Sequence, residues 1–447
     1  MKAPKTMVDE VSPQERIALR TDVKMTEEGF LTDDFVRQLI NVGEIDILVG
    51  LPTCNNAKTI GSVIAAIQAG ILQWFSRDRA AIIDADAGSR DGTPDLVASA
   101  SIDDVQQRAF NRVALRTLHS ISTQYGSSVA RGTALRTILA AGELLRAKAT
   151  AMISPDSSNI GPDWLRLLLK PISTENFDLV LPTYARHKFD GLLITNLLYP
   201  VTRAVYGLRI REPYASEFAF SGRMGSQFLA QNSWNDESAR AGCEVRVTLA
   251  AIAGGFRIGQ SFLGAKNHVE RHAADLVPAL RQTIGVLFWS MESNFSLWSD
   301  KTVSQPIPTT GAEQEFTIHP QRVNRKRLLE MFRSGVAELE SVFRSILLPP
   351  TLAELQRIAG LGEDDFYYSA ELWVKTVYEF AAAHHKAVIS RDHIIQALAP
   401  LFRGRALTFL LENRNSSAAE VEANIESLCL EFERLKPYLL EMWTGRE

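Results

Sequence analysis

Three cysteines in 447 residues, Cys54, Cys243 and Cys429, are too few and too scattered for a disulfide framework or a metal knuckle. Their scarcity suits a reducing compartment, and a cytoplasmic location is expected. No run approaches the roughly 20 consecutive apolar residues that a bilayer-spanning helix needs. The first 25 residues mix charges and lack an apolar block, so no secretory signal is expected there. Charge of one sign is also missing. The 48 Lys and Arg against 52 Asp and Glu leave a net charge of −4, which gives no bulk attraction for nucleic acid or a membrane surface. Neither partner is expected. Glycine-rich phosphate loops are absent as well: the chain contains no Gly-x-x-x-x-Gly-Lys-Ser/Thr, and its first strand is not followed by Gly-x-Gly-x-x-Gly. A dinucleotide site of the usual kind is therefore disfavoured.

What remains is an ordinary globular composition, 46% hydrophobic and 22% charged, in a chain long enough for two or three domains. Residues 1–44 read as an N-terminal arm, with a short helix started by Thr32-Asp33-Asp34 and carrying Phe35, Leu39 and Ile40. From Ile45 strands and helices alternate. Strands are expected at Ile45–Leu51, Ala80–Ala85, Val113–Leu118 and around Met152. Between them lie helices capped at Thr59, opened by Thr93-Pro94-Asp95, and running from Arg131 to Leu145. Such alternation implies parallel strands joined by right-handed crossovers, an α/β doubly wound sheet. Its ligand site should lie along the carboxyl edge of the strands.

Polar turns collect at that edge. The Asn-rich turn Pro52-Thr53-Cys54-Asn55-Asn56 follows the first strand, Asp86 ends the second, and Asp156 follows the fourth, ahead of the helix start Gly161-Pro162-Asp163-Trp164. A single acid there could simply cap the next helix. Several together form a crevice of convergent acceptors. Beyond the strand Leu179–Pro182, the loop Tyr184-Ala-Arg-His-Lys-Phe-Asp-Gly191 is either a solvated turn or an anion site, since Arg and Lys suit carboxylate and phosphate oxygens. A helix follows from Leu193 to Tyr206. Glu217 precedes an apolar strand, Glu244 opens a helix over 244–253, and a strand Phe256–Leu263 leads to Lys266-Asn-His268.

Residues 300–325 read as a linker on their Pro306, Pro308, Gly311 and Pro320. Beyond it a helical C-terminal domain is expected. One helix runs from Leu328 to Ile346 and stops at Pro349-Pro350, a second carries Leu372, Trp373, Val377 and Phe380, and a third spans Ile394–Phe402. The pair His384-His385 is not expected to bind metal, because adjacent helical residues face apart. Val421, Ile425, Leu428, Phe432, Leu435 and Leu439 fit either a helix packed on its own bundle or the seam of a homodimer; the short, Pro437-broken pattern favours the bundle.

Taken in order, Leu51-Pro-Thr-Cys-Asn-Asn, Asp86-Ala-Gly-Ser-Arg-Asp-Gly-Thr93, Asp156 before Gly161-Pro-Asp-Trp, Tyr184-Ala-Arg-His-Lys-Phe-Asp-Gly, Ile194-Thr-Asn, Tyr199-Pro-Val-Thr-Arg203, Lys266-Asn-His268 and Glu371-Leu-Trp-Val-Lys-Thr-Val-Tyr-Glu-Phe resemble the nucleotide-sugar glycosyltransferases of the A-type fold. The nearest likeness is to the mannosylglycerate and glucosylglycerate synthase group. That resemblance implies a Rossmann-like, mostly parallel catalytic domain at 45–300 and a helical domain at 301–447. It implies retaining transfer of a hexose from a GDP- or UDP-sugar to glycerate or a similar small hydroxy acid, with Mg²⁺ or Mn²⁺. Carried over residue by residue, the donor falls to Pro52, Thr53, Asn56, Asp86, Arg131 and Asp156. The metal falls to Asp156 and His268, the acceptor to Arg186, Lys188 and Thr195, and the reacting centre to Glu217, Glu244 and Tyr214. The chain departs from the pattern where Ser154 stands for the first acid of Asp-x-Asp, and where Ala215-Ser216-Glu217 stands for Gly-Gly-Glu. Two rivals follow: a paralogue that binds a nucleotide sugar without turnover, and a sugar-nucleotide pyrophosphorylase, whose Gly-rich basic first turn is missing here.

Overall fold

A computed structural model describes residues 31–100, 118–125, 131–157, 159–231, 234, 242–266, 276–311 and 323–445. Its centre is an eight-stranded sheet of order β3-β2-β1-β4-β6-β5-β7-β8. The strands are β1 (Ile47–Thr53), β2 (Ala80–Asp86), β3 (Leu118–Gln124), β4 (Ala149–Met152), β5 (Leu179–Ala185), β6 (Phe218–Ser221), β7 (Ile258–Ala265) and β8 (Thr309–Thr310). All pairings are parallel except those of β6, which runs against β4 and β5. The sheet is thus mostly parallel, as expected, with one reversed strand at its middle. Its central strands β1, β2 and β4 are largely apolar on both faces because helices cover both. On one face α2 (Ala57–Trp74) and α5 (Asp163–Glu175) pack on Val49, Leu51, Ile82 and Ala151. On the other, α1 (Asp33–Val42) and α4 (Arg131–Leu144) pack on Leu48, Ile83 and Met152.

Several boundaries differ from the sequence reading. The third strand is Leu118–Gln124, paired residue for residue with β2, and the expected stretch 113–117 lies outside the described residues. Helix α2 starts at Ala57 rather than at a Thr59 cap, and the Thr59 hydroxyl donates back to the Asn56 carbonyl. The helix α3 (Thr93–Ala98) is entered through Gly92, whose φ of 86° puts it in the left-handed region that glycine tolerates. Residues 300–311 are no plain linker: β8 extends the sheet beside β7, and Gln260 N–H donates to the Pro308 carbonyl.

The single helix expected over 193–206 is a π turn, Ile194–Leu198, followed by α6, Tyr199–Tyr206. Pro200 has no N–H to give the Asn196 carbonyl, so the normal helical bond is missing there. Trp373 Nε1–H supplies a donor instead, at 2.8 Å.

Beyond β6 come α7 (Gly222–Leu229), α8 (Cys243–Ala253), α9 (Leu276–Leu280), a second π turn (Arg281–Gly285), α10 (Val286–Ser293) and α11 (Phe295–Trp298). The C-terminal region contains α12 (Arg325–Glu338), α13 (Glu340–Ile346), α14 (Pro349–Ala359), α15 (Ala370–Lys386), α16 (Arg391–Glu412), α17 (Ala418–Arg434) and α18 (Lys436–Thr444). Pro349 and Pro350 begin a helix rather than end one, which suits proline in a first turn, where no N–H is needed. Helix α16 extends well past the expected end at Phe402, to Glu412. Among the described residues it alone is long and apolar enough to cross a membrane, contrary to the sequence reading, yet 83% of its apolar window is buried inside the protein. The 421–432 apolar stripe is buried in the chain's own bundle, and that core also includes Leu197, Val201, Leu280 and Phe288. His384 meets Glu292, and His385 stacks on Trp443.

Candidate functional site

At the carboxyl edge the sheet register places Thr53 beside Asp86. The Thr53 hydroxyl lies 3.1 Å from Asp86 Oδ1 and 2.6 Å from Asp84 Oδ1. Asp86 Oδ2 accepts the N–H groups of Gly88 (2.9 Å) and Ser89 (2.8 Å), which shapes the loop that follows. Asp84, inside the strand, was not singled out from the sequence, although an acid among Ala and Ile residues of a buried strand is the signal for such a group. Burial pushes its carboxyl up to about 6, against the Thr53 and Ser122 hydroxyls that donate to it and with the added repulsion of Asp86.

The turn after β1 is a hydrogen-bonded knot. Asn56 Oδ1 accepts Cys54 N–H at 2.7 Å, and Asn56 N–H donates to Thr93 Oγ1 at 2.9 Å. The Asn56 side-chain amide then reaches Asp156 Oδ1 at 2.6 Å. Two turns expected to share a crevice therefore touch. Behind Asp156, Ser154 is buried, and its hydroxyl lies 3.4 Å from the Asp156 N–H.

Ser157 extends the chain of contacts by donating to Glu217 Oε1 at 2.6 Å. Tyr184 O–H donates to Glu217 Oε2 at 2.6 Å, and the Lys266 ammonium forms an ion pair with the same oxygen. Glu217 and Lys266 side chains are 0% and 6% exposed. Burial alone would raise the Glu217 carboxyl, but the adjacent ammonium and the two hydroxyls outweigh it and hold the group ionised, at about 2. Burial pulls the Lys266 ammonium down and pushes the Tyr184 phenol up. Lys266, Tyr184 and Ser157 were given no role from sequence; nothing in their spacing shows that they converge on one carboxylate.

Glu244 sits in the first turn of α8, which is entered through Gly242 at φ 71°. A Cβ on Gly242 would run into the Gln282 carbonyl, so this entry needs glycine twice over. Glu244 lines a small cavity with Pro52, Ser154, Ser216 and Cys243, where about 10 Å³ is open to the centre of a water molecule. Cys243 S–H donates to Glu244 Oε2 at 3.2 Å.

The expected acceptor residues are engaged elsewhere. Arg186 makes a two-pronged contact with Glu212 (2.7 and 2.9 Å) and a third bond to Asp190 (3.1 Å). Lys188 donates to the carbonyls of Arg414 and Ser416, at 2.9 and 3.0 Å. Thr195 is buried in the first π turn, where Asn196 Nδ2 donates to its hydroxyl. Tyr214 packs against the helical core. Arg131 opens α4, but its side chain and the whole of His268 lie outside the described residues.

Asp156 offers an oxygen ligand of the kind Mg²⁺ and Mn²⁺ accept, and diphosphate and water oxygens could complete a hard-cation shell, so the donor chemistry fits. Among the described residues no group of three His, Cys, Asp or Glu side chains is gathered for a metal.

No family model matches the sequence, and no curated protein matches it. Solved structures do. Glucosyl-3-phosphoglycerate synthase from Mycobacterium tuberculosis, in complex with Mn²⁺, UDP and glucosyl-3-phosphoglycerate, is 21% identical at a TM-score of 0.42, over 59% of this chain and 85% of that one. The same enzyme with Mg²⁺ and UDP gives 21% and 0.41, over 57% and 83%. A mycobacterial protein gives 21% and 0.40, over 59% and 80%. The fold of this chain is a Rossmann-like, mostly parallel sheet with one reversed strand, followed by a helical C-terminal region.

Proposed function

We propose that the chain is a glycosyltransferase that moves a hexose from a nucleoside diphosphate sugar to the hydroxyl of a small acceptor, with retention by family resemblance. The observation that carries this reading is the meeting of polar turns at the carboxyl edge, where the Asn56 amide bonds Asp156 and the Thr53 hydroxyl lies beside Asp86. In the family that the motifs resemble, those turns receive the sugar nucleotide.

In such a transfer the bond from the anomeric carbon to the diphosphate oxygen breaks, and a bond to the acceptor oxygen forms. The acceptor's proton passes to the departing diphosphate. By the family resemblance the nucleoside falls to Thr53 and Asp86, and the diphosphate to Asp156, which Asn56 orients. Glu244 orients the acceptor hydroxyl. A divalent ion held by Asp156 and His268 would supply Lewis-acid stabilisation of the leaving group. Arg131, at the start of α4, would add a fixed positive charge beside it. Glu217 is ionised and already accepts three donors, so it positions the loops around it rather than taking a proton.

A second reading, a nucleotide-sugar-binding protein without turnover, is favoured by one observation: a serine, Ser154, occupies the first acid position of the metal motif. Incubating the full chain and Mn²⁺ with UDP-glucose, GDP-glucose and GDP-mannose, each with a panel of hydroxylated acceptors, separates the two. Product mass and free nucleoside diphosphate support transfer. Donor binding with neither supports the second reading, and formation of nucleoside triphosphate and sugar 1-phosphate when pyrophosphate is added would indicate a pyrophosphorylase.

A further inference from the structure

We infer that Ser157 and Glu217 are positioning residues for Asp156: the bond between them holds the turn that carries this carboxylate, and so sets how tightly a nucleoside diphosphate binds together with a divalent cation. The inference rests on the transferase reading above and concerns the same site.

The reversed strand puts Glu217 where it can do this. β6 runs against both of its neighbours, β4 and β5, so its first residues lie at their carboxyl ends, with Phe218 paired to Met152. Glu217, directly before β6, therefore stands between the turn after β4 and the end of β5. From there it accepts the Ser157 hydroxyl on one oxygen, and the Tyr184 hydroxyl and the Lys266 ammonium on the other. An ionised carboxylate has no proton to give, so the Ser157 hydroxyl must donate and its direction is fixed. A bond of this kind to a charged acceptor is also stronger than one between neutral groups.

Asp156 is the third residue of the turn 154–157, which the Ser157 N–H closes on the Ser154 carbonyl at 3.2 Å. Ser157 is the next residue along, its Cα about 3.8 Å from that of Asp156, so whatever fixes Ser157 fixes the main chain beneath the carboxylate. The clamps are complementary. Asn56 holds the Asp156 side chain, Glu217 holds the closing corner of the turn, and the Asn159 side-chain amide ties the following residues to the Ala265 carbonyl at the end of β7. Ser157 is buried, as is Glu217, so bulk water cannot replace their bond. A carboxylate already held in place needs little ordering when its ligand arrives. Partners that orient a metal-binding carboxylate in this way are worth on the order of 10- to 100-fold in metal affinity.

The test titrates UDP and GDP into the full chain by calorimetry, once with Mn²⁺ and once with EDTA. For whichever nucleotide binds, Ser157→Ala should raise the dissociation constant by about tenfold with Mn²⁺ and leave it within about twofold in EDTA. Glu217→Leu combined with Lys266→Met removes the acceptor without stranding the ammonium, and should give a loss of the same size. Adding Ser157→Ala to that double variant should bring no further loss, because all three changes break one bond. The double variant reads the bond from its other end, so the comparison survives a Ser157→Ala chain that fails to fold. Mn²⁺-dependent binding equal to wild type in Ser157→Ala would overturn the inference and leave Asp156 in the donor site. Equal weakening with and without Mn²⁺, or losses that simply add in the triple variant, would overturn it too, since a merely structural role predicts them. A wild-type chain with no Mn²⁺-dependent binding of either nucleotide would overturn this inference and the donor-site reading together.

Discussion

The side-chain amide of Asn56 donates to Asp156 Oδ1 across 2.6 Å, joining two turns 100 residues apart in the chain. That bond fixes one oxygen of the carboxylate proposed to face the diphosphate. Replacing Asp156 with alanine should abolish Mn²⁺-dependent binding of the sugar nucleotide in calorimetry, while leaving the melting temperature close to that of the wild type. Unchanged Mn²⁺-dependent heat would remove Asp156 from the donor site.

Ser154→Asp restores an acid beside it. If the side chain faces the donor, binding should tighten by about tenfold, the usual scale of one added charged contact. Equal dissociation constants for the two proteins would place residue 154 away from the ligand.

Glu217 and Lys266 form a buried pair, and removing one charge strands the other. Glu217→Gln should cost about 3–5 kcal/mol in denaturant unfolding, and adding Lys266→Met should recover much of that loss. Strictly additive losses would mean that the pair is not coupled. The sign with pH is set by the carboxylate. Held at about 2 against an ordinary 4.5, it contributes stability at neutral pH that is lost as pH falls from 4.5 through 2.

Asp84 behaves in the opposite sense. Its folded value of about 6 stands above the ordinary 3.8, so the unfolded chain gives up this proton first as pH rises. Asp84 therefore destabilises the fold progressively from pH 3.8 to 6, and the full cost remains above that. Asp84→Asn removes the cost. Its unfolding free energy relative to wild type should rise by about 2–3 kcal/mol between about pH 4 and about pH 8. A pH-independent difference would show that Asp84 ionises normally.

Trp373 Nε1–H is the donor that satisfies the Asn196 carbonyl in the first π turn. Trp373→Phe keeps most of the ring and deletes that donor, so a loss of about 1–3 kcal/mol is expected, the cost of a buried acceptor without a partner. Proton exchange in the segment 194–206 should quicken. Stability equal to wild type would mean that water or another donor takes over.

Much of the architecture was legible in the residues because it depends on local pattern. The apolar strands β2 and β4, the helix face of Ile60, Val63, Ile64 and Ile67, and the Thr32 cap follow from spacing and capping chemistry. The misses come from long-range effects. Pro349-Pro350 has the same composition whether it stops a helix or starts one, and only the following packing of Leu352, Leu355 and Ile358 decides. The π turn needs an indole from 177 residues away. At the site, the acids at Asp86 and Asp156 were visible because a strand delivers them. The cluster around Glu217 was not, since Ser157, Tyr184 and Lys266 reach it from separate strand ends and loops. Nor could the sequence show that Arg186 already has two partners, because Glu212 approaches it only in the folded chain.

Arg203, wholly buried in α6, forms ion pairs with Glu426 and Glu433 of α17, and Lys436 gives its protons to the carbonyls of Val205, Trp298 and Lys301. The last third of the chain is thus an integral plug rather than an appendage. A protein cut short after α16 would uncover a guanidinium in an oily wall with no counterion, and such a fragment should be recovered as aggregate rather than as a minimal transferase.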